Sequence, residues 1–214
     1  MKNLHFAKFA WVTMLMVVSL YFIPVLLMAQ AKPATPASST YTDSRDSQVY
    51  NWVKVGNQVW MTDNLRFNVP AGSWAYNNDS VNLPTFGRLY TWKSAQTACP
   101  KGWHLASDKE WNVLIQSLGG SNEAGMKIQT MDTIGKFAET GKPAAISGSS
   151  KLLTGVRHPD GSCIGINLWG GCWIAGKVKD TVGSNILFAH GTKDVTISTN
   201  DKNAGFAVRC IRNK

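Results

Sequence analysis

The chain is poor in charge, and the charge it has is dispersed. Only 16% of its 214 residues are Asp, Glu, Lys or Arg. The net charge of +9 falls to about +7 once Lys2 and Lys8 near the N-terminus are set aside. The remaining basic residues stand singly (Lys54, Arg66, Arg88, Lys101, Lys127, Lys136, Lys151), with no basic run and no base-reading motif. Nucleic-acid binders gather such residues into one stripe, so no nucleic-acid partner is expected. Cysteine is scarce too, at four. None precedes Cys99, which excludes a lipid-anchored lipoprotein start. There is no Cys-x-x-Cys, and His5, His104, His158 and His190 are scattered, a poor basis for zinc. No nucleophile, base and acid fall into a recognisable constellation, so catalysis is not expected.

What is present begins with an export pattern. Lys2 and Lys8 precede an uncharged apolar run over residues 9–28, which closes in Ala29-Gln30-Ala31. A basic start, an apolar stretch and a small-x-small ending define a secretory signal, so residues 1–31 are expected to be removed. The alternative is an uncleaved anchor, since about 20 apolar residues can span a bilayer; membrane contact is expected only in that case. "KPATPASST", residues 32–40, has the Pro/Ala/Ser/Thr composition of a tether. The domain is then residues 41–214, secreted or held in the cell envelope.

An even number of cysteines in an exported chain implies disulfides, and four allow three pairings. Cys163 and Cys172 flank "IGINLWGG", whose glycines permit a tight return, and Cys99 and Cys210 are the pair left over. By loop-closure entropy the long bridge contributes about 4–5 kcal/mol and the short one roughly 2.5–3. These two pairs are the expected ones.

Local patterning points to an α+β domain. "VYNWVKVGNQVWM" alternates on either side of Gly56-Asn57, a two-residue hairpin signal. "SWAYNNDSVNLPTFG" is irregular. "LYTWKSAQTAC" predicts a helix that stops near Cys99, because Pro100 disfavours helical dihedrals at the preceding residue. A second helix starts at Ser107, with Glu110 completing a Ser-x-x-Glu capping box. Trp111, Leu114, Ile115 and Leu118 give it one apolar face, and Gly119-Gly120 ends it. Beyond Gly120 no further helix is predicted. "MKIQTM", "KLLTGVR", "GCWIAGKV", "NILFAHG", "KDVTIST" and "AGFAVRCI" read as short antiparallel strands, with "RHPDGS" as a turn.

The blocks "VGNQVWMTDNL", "GRLYTWKSAQTACPKGWHLASDKEW", "LLTGVRHPDGS" and "GFAVRC" resemble the Fibrobacter succinogenes major paralogous domain family, modules of exported bacterial surface proteins, over essentially residues 41–211. That family is similar to the C-type-lectin-like fold, shared with formylglycine-generating enzymes. The resemblance implies two early helices packed on a short-stranded antiparallel sheet with long loops, stapled by disulfides. A cysteine at the end of the first helix and one on the last strand fit the lectin-like link between those elements. Cys172-Trp173-Ile174-Ala175 stands where the family usually has Trp-Ser-Ser after its aromatic pair, and the Cys163/Cys172 pair looks like a local addition.

The resemblance implies a non-catalytic surface or periplasmic module that binds a glycan or an envelope protein through its loop face. One alternative is an oxidoreductase like the formylglycine-generating enzymes, using Cys163 and Cys172 with Arg157 and His158 nearby. Another is a hypervariable lectin-like ligand binder. The calcium-lectin motifs Glu-Pro-Asn or Gln-Pro-Asp with Trp-Asn-Asp are missing, and "TNDKN" sets one carboxylate among amides, too few hard ligands for calcium. No metal and no cofactor is expected. Trp169 at the apex of "IGINLWGG", with Asn167, Trp173, Arg157 and His158, makes up the candidate ligand surface. Folding of Trp169 back beside Trp173 is the alternative. His104, between Trp103 and Leu105, is read as packed and hydrogen-bonded rather than as a catalytic base.

Overall fold

The computed structural model describes residues 38–130, 150–176 and 180–213. The expected leader and residues 32–37 of the tether lie outside this set. The chain opens with β1 (Ser38–Thr42), β2 (Val49–Val55), β3 (Gln58–Met61) and β4 (Ser73–Trp74). Two 3-10 turns, Tyr76–Asn78 and Ser80–Asn82, lead into α1 (Leu83–Phe86). Then come β5 (Leu89–Tyr90), α2 (Trp92–Ala98), β6 (Trp103–Leu105), α3 (Asp108–Ser117) and α4 (Ser121–Gln129). The rest is strand: β7 (Thr154–Arg157), β8 (Cys163–Ile166), β9 (Trp169–Trp173), β10 (Val182–Ala189), β11 (Thr196–Asp201) and β12 (Cys210–Arg212). The mixed α+β class stands as expected.

The strands form two five-stranded sheets, ordered β1-β2-β3-β12-β6 and β11-β10-β9-β7-β8, plus a small β4-β5 pair. The first is antiparallel throughout. The second departs from expectation at one place: β7 runs parallel to β9, meeting it at Gly155 and Gly170. The C-terminal strand β12 inserts between β3 and β6, and Cys210 bonds to Cys99 at the end of α2. Isolated bridges join Cys172 of β9 to Ala207, on the segment leading into β12, and Ser107, just past β6, to Ala175, just past β9.

The helix punctuation is as the sequence predicts. Thr91 caps α2 by accepting from the Ser94 amide at 3.2 Å, and Cys99 ends it in extended geometry. Ser107 and Glu110 form the full capping box on α3. Trp111, Leu114 and Ile115 are buried together with Trp60 and Phe188, and the Trp60 and Trp111 rings lie 4.6 Å apart. A second cluster gathers Tyr50, Tyr90, Trp103, Trp173 and Phe206.

Three predictions need correction. "MKIQTM" is not a strand, because its first four residues belong to α4. Ala124 and Ile128, four apart, are buried on one face of that helix. The signal was obscured by Gly125, a residue unusual inside helices. It is required here because the backbone of Lys193 and Asp194 comes so close that a Cβ would collide with it, and Lys193 O accepts from the Gly125 amide at 2.6 Å. Secondly, residues 38–40 of the expected tether are strand, paired with residues 51–53 of β2 and fixed by the Trp52 indole donating to Thr40 O. Thirdly, "AGFAVRCI" is mostly not ladder. Only Cys210 and Ile211 of it reach β12, and the residues before them pair through isolated bridges.

Candidate functional site

The expected ligand surface does not assemble in one place. Arg157 pairs with Cys163 and Thr154 with Ile166 across the β7–β8 hairpin. Arg157 and His158 therefore stand at one end of this hairpin, and Asn167 and Trp169 at the other. The ends are separated by a strand of about 13 Å. Trp173 belongs to neither, since it is fully buried and its indole donates to Tyr90 O at 2.6 Å. It is a core residue, out of reach of a ligand.

Trp169 is not at the apex either. The tip of the turn is Asn167-Leu168, with Asn167 in the left-handed region and Leu168 66% exposed. Trp169 begins β9 and lies over Gly165, where any Cβ would strike the indole ring. The glycine makes room for the tryptophan to fold back. At the opposite end Arg157 stacks 4.0 Å over Trp74, and its Nη1 donates to His158 O.

Cys163 and Cys172 are free thiols rather than a bridge. The reason is topological: β7 lies between β8 and β9. Two strand spacings put the residues about 9–10 Å apart, beyond the roughly 4.4–6.8 Å that a disulfide spans between α-carbons. Closeness in sequence misled because an intervening strand was invisible. Cys172 is wholly buried, and that burial pushes its thiol up to about 11, away from the reactive thiolate form. His104 is a tied residue. Nε2 meets Glu110 Oε1 at 2.8 Å and Nδ1 meets Asn213 Oδ1 at 2.6 Å.

Another candidate site lies elsewhere, on the irregular stretch that follows β3. A surface groove of about 590 Å³ is lined by Asp46 and Gln48 before β2, and by Arg66 and Asn68 after β3. Ser80, Leu83, Pro84 and Arg88 complete it from the turns around α1. This volume falls in the range of small-ligand sites.

Local chemistry explains why these residues converge. Asp79 accepts from the Val81 amide at 3.0 Å to start the second 3-10 turn. Pro84 opens α1 without forfeiting a hydrogen bond. The chain then returns to the frame, where the Arg88 amide donates to Leu65 O at 3.0 Å. Beneath it Asn64 is a buried hub. Its amide nitrogen donates to Phe86 O at 2.9 Å and to Lys151 O. Its oxygen accepts from Arg209, itself buried, at 2.8 and 3.2 Å. The neighbouring Asp63 receives Lys151 Nζ at 2.6 Å and the Asn51 amide at 2.6 Å. Burial alone would raise the Asp63 carboxyl, but these bonds hold it below its usual range.

The two groove arginines are fixed by the protein itself. Arg66 donates from Nε to Gln48 Oε1 at 2.9 Å and from Nη2 to Val49 O at 2.5 Å. Its guanidinium lies 4.7 Å over the Tyr50 ring. The Tyr50 phenol is pushed up to about 12 by burial, against the opposing pull of the Arg66 amide it accepts from, so it stays neutral beneath the cation. Arg88 donates from Nε to Arg66 O at 3.0 Å. Among the described residues no carboxylate lies within 4.0 Å of either guanidinium. None of these groove residues was singled out by the sequence. The one available signal is the run of Asn, Asp, Ser and Pro that contributes Ser80, Leu83 and Pro84 to the wall.

A family model described as the Fibrobacter succinogenes major domain matches residues 53–212. No curated protein and no solved structure matches the chain.

Proposed function

The chain belongs to the Fibrobacter succinogenes major domain family, and from that premise we propose that it is an exported, non-catalytic binding module that takes a glycan in the groove between Arg66 and Arg88. The observation that carries this reading is the groove itself, a mixed polar and apolar depression in which Gln48, Arg66, Asn68 and Arg88 are already hydrogen-bonded within the protein. A pre-ordered site loses less entropy on binding. Sugars need many hydrogen-bonding groups beside a modest apolar surface, and this lining offers both in Gln48, Asn68 and Ser80 against Leu83 and Pro84. Export rests on the leader pattern and is supported by the Cys99–Cys210 disulfide. No helix among the described residues is long and apolar enough to cross a membrane. The same reading takes the fold as C-type-lectin-like, supported by the link from the end of α2 to the last strand.

A protein partner is the second reading, favoured by Leu168 and Ile164, exposed by 66% and 47%. The oxidoreductase alternative draws no support from two thiols separated by a strand. A glycan array probed with the labelled protein, with and without calcium, tests the proposal. Retention of specific oligosaccharides that is lost in Arg66→Ala supports it. An array silent for the wild type, beside capture by an envelope protein that Leu168→Asp abolishes, replaces it with the second reading.

A further inference from the structure

Resting on that reading of the groove, we infer that the glycan it takes is acidic, a uronate-type sugar whose carboxylate is gripped by the Arg66/Arg88 pair. The inference starts from how the arginines are anchored. Arg88 spends only its Nε on the protein, on Arg66 O, which fixes the plane of the fork. Its two terminal nitrogens meet no acceptor among the described residues. Arg66 is held from Nε and Nη2, leaving Nη1. Arg66 and Arg88 both line the groove and Arg88 Nε donates to Arg66 O, so two positive charges share one depression, and an anion bound there relieves their repulsion. Planar forks with free terminal N–H groups match a carboxylate in a bidentate way.

The remainder of the lining argues for a sugar acid over a bare inorganic anion. Asp46 sits in the same groove, where its carboxylate accepts from sugar hydroxyls, groups that sulfate does not offer. Asn68 and Ser80 add donors, and Leu83 and Pro84 give a surface for the ring's C–H face. Positive charge at one point, an acceptor at another and an apolar floor are the pattern of a ring carrying one carboxylate and several hydroxyls.

Calorimetric titration of the full chain with trigalacturonate, its methyl ester and its carboxyl-reduced neutral counterpart tests this, with sulfate and phosphate as free-anion arms. The acid should bind at least tenfold tighter than the ester or the neutral sugar, and binding should weaken with added salt. Arg88→Ala should remove that preference, and Arg88→Lys should not restore it, because a point charge lacks the fork. The ligand series on the wild type stands even if a variant fails to fold. Equal affinity for acid and neutral sugar overturns the carboxylate grip while leaving the glycan reading intact. Sulfate or phosphate binding as tightly as the acid overturns it as well, in favour of an unselective anion site. No binding by any of the three oligosaccharides overturns it together with uronates as the glycan class, and the array result then decides the broader reading.

Discussion

The β1-β2-β3-β12-β6 sheet and the stretch from residue 62 to residue 88 lie against each other but are held by different means. The sheet is tied by backbone ladders and by one covalent bond, with Cys210 directly across from Leu105. The stretch has little ladder of its own. It is fixed by side chains reaching to distant backbone: Asn64 to Phe86 and Lys151, Tyr90 Oη to Phe67 O at 2.6 Å, and Arg88 Nε to Arg66 O. The difference teaches where function is affordable in this fold. A ladder saturates the backbone and leaves no concavity, whereas polar side-chain anchors hold an irregular path open and still rigid. The groove sits on the second kind of structure and is tied to the first where Arg66 meets Val49 O and the Tyr50 ring of β2.

Breaking the frame should have the largest effect. The Cys99–Cys210 bond spans a sequence separation of 111, and closing a loop of that length contributes about 4–5 kcal/mol in the chain-entropy account. The double variant Cys99→Ala/Cys210→Ala should lose roughly that much in urea unfolding, and reductant should destabilise the wild type alike. Trp111→Ala, which empties the contact with Trp60 and Phe188, should cost about 3–5 kcal/mol.

Loosening the anchors should cost less stability but more function. Asn64→Ala strands Phe86 O and removes one acceptor of buried Arg209, which keeps Met61 O, a loss of about 2–4 kcal/mol. Its distinguishing mark is glycan affinity. Asn64→Ala should weaken binding well below its melting transition, while Trp111→Ala should not. If both variants bind like wild type in native conditions, the groove does not depend on the hub. Ser107→Ala removes the α3 cap and should cost about 0.5–2 kcal/mol, with binding unchanged.

The last difference is full at neutral pH and fades in acid. The Asp63 carboxyl is lower in the folded state than in the unfolded chain. Its stabilisation is therefore complete above the unfolded value near pH 4 and is lost as pH falls through the folded one. Asp63→Asn should flatten the acid limb of a stability-against-pH curve. An acid limb identical to that of wild type would show that the Lys151 pair carries no linkage.

The two regions also differ in how far the sequence reveals them. Ser107 with Glu110, the Gly56-Asn57 hairpin and the Cys99 helix end are local signals, and local signals survive into the structure unchanged. Cys163 and Cys172 look like a pair in the sequence because proximity says nothing about the strand that separates them. α4 is hidden in the sequence because Gly125 answers to the backbone of residues 193–194, a contact from elsewhere in the chain. The Arg66/Arg88 groove was hidden for the same reason. Each arginine looks like an isolated surface charge until Asn64 folds the intervening turns back onto Leu65.

Resonances of the arginine Nε–H groups, followed in a ¹H–¹⁵N NMR titration of the wild type with trigalacturonate, test the central claim most directly. The account predicts saturable shifts at Arg66 and Arg88, with Arg157 Nε–H and the Trp169 indole N–H unmoved. Shifts confined to Arg157 or Trp169, with Arg66 and Arg88 silent, would contradict it and place the site on the β7–β8 hairpin.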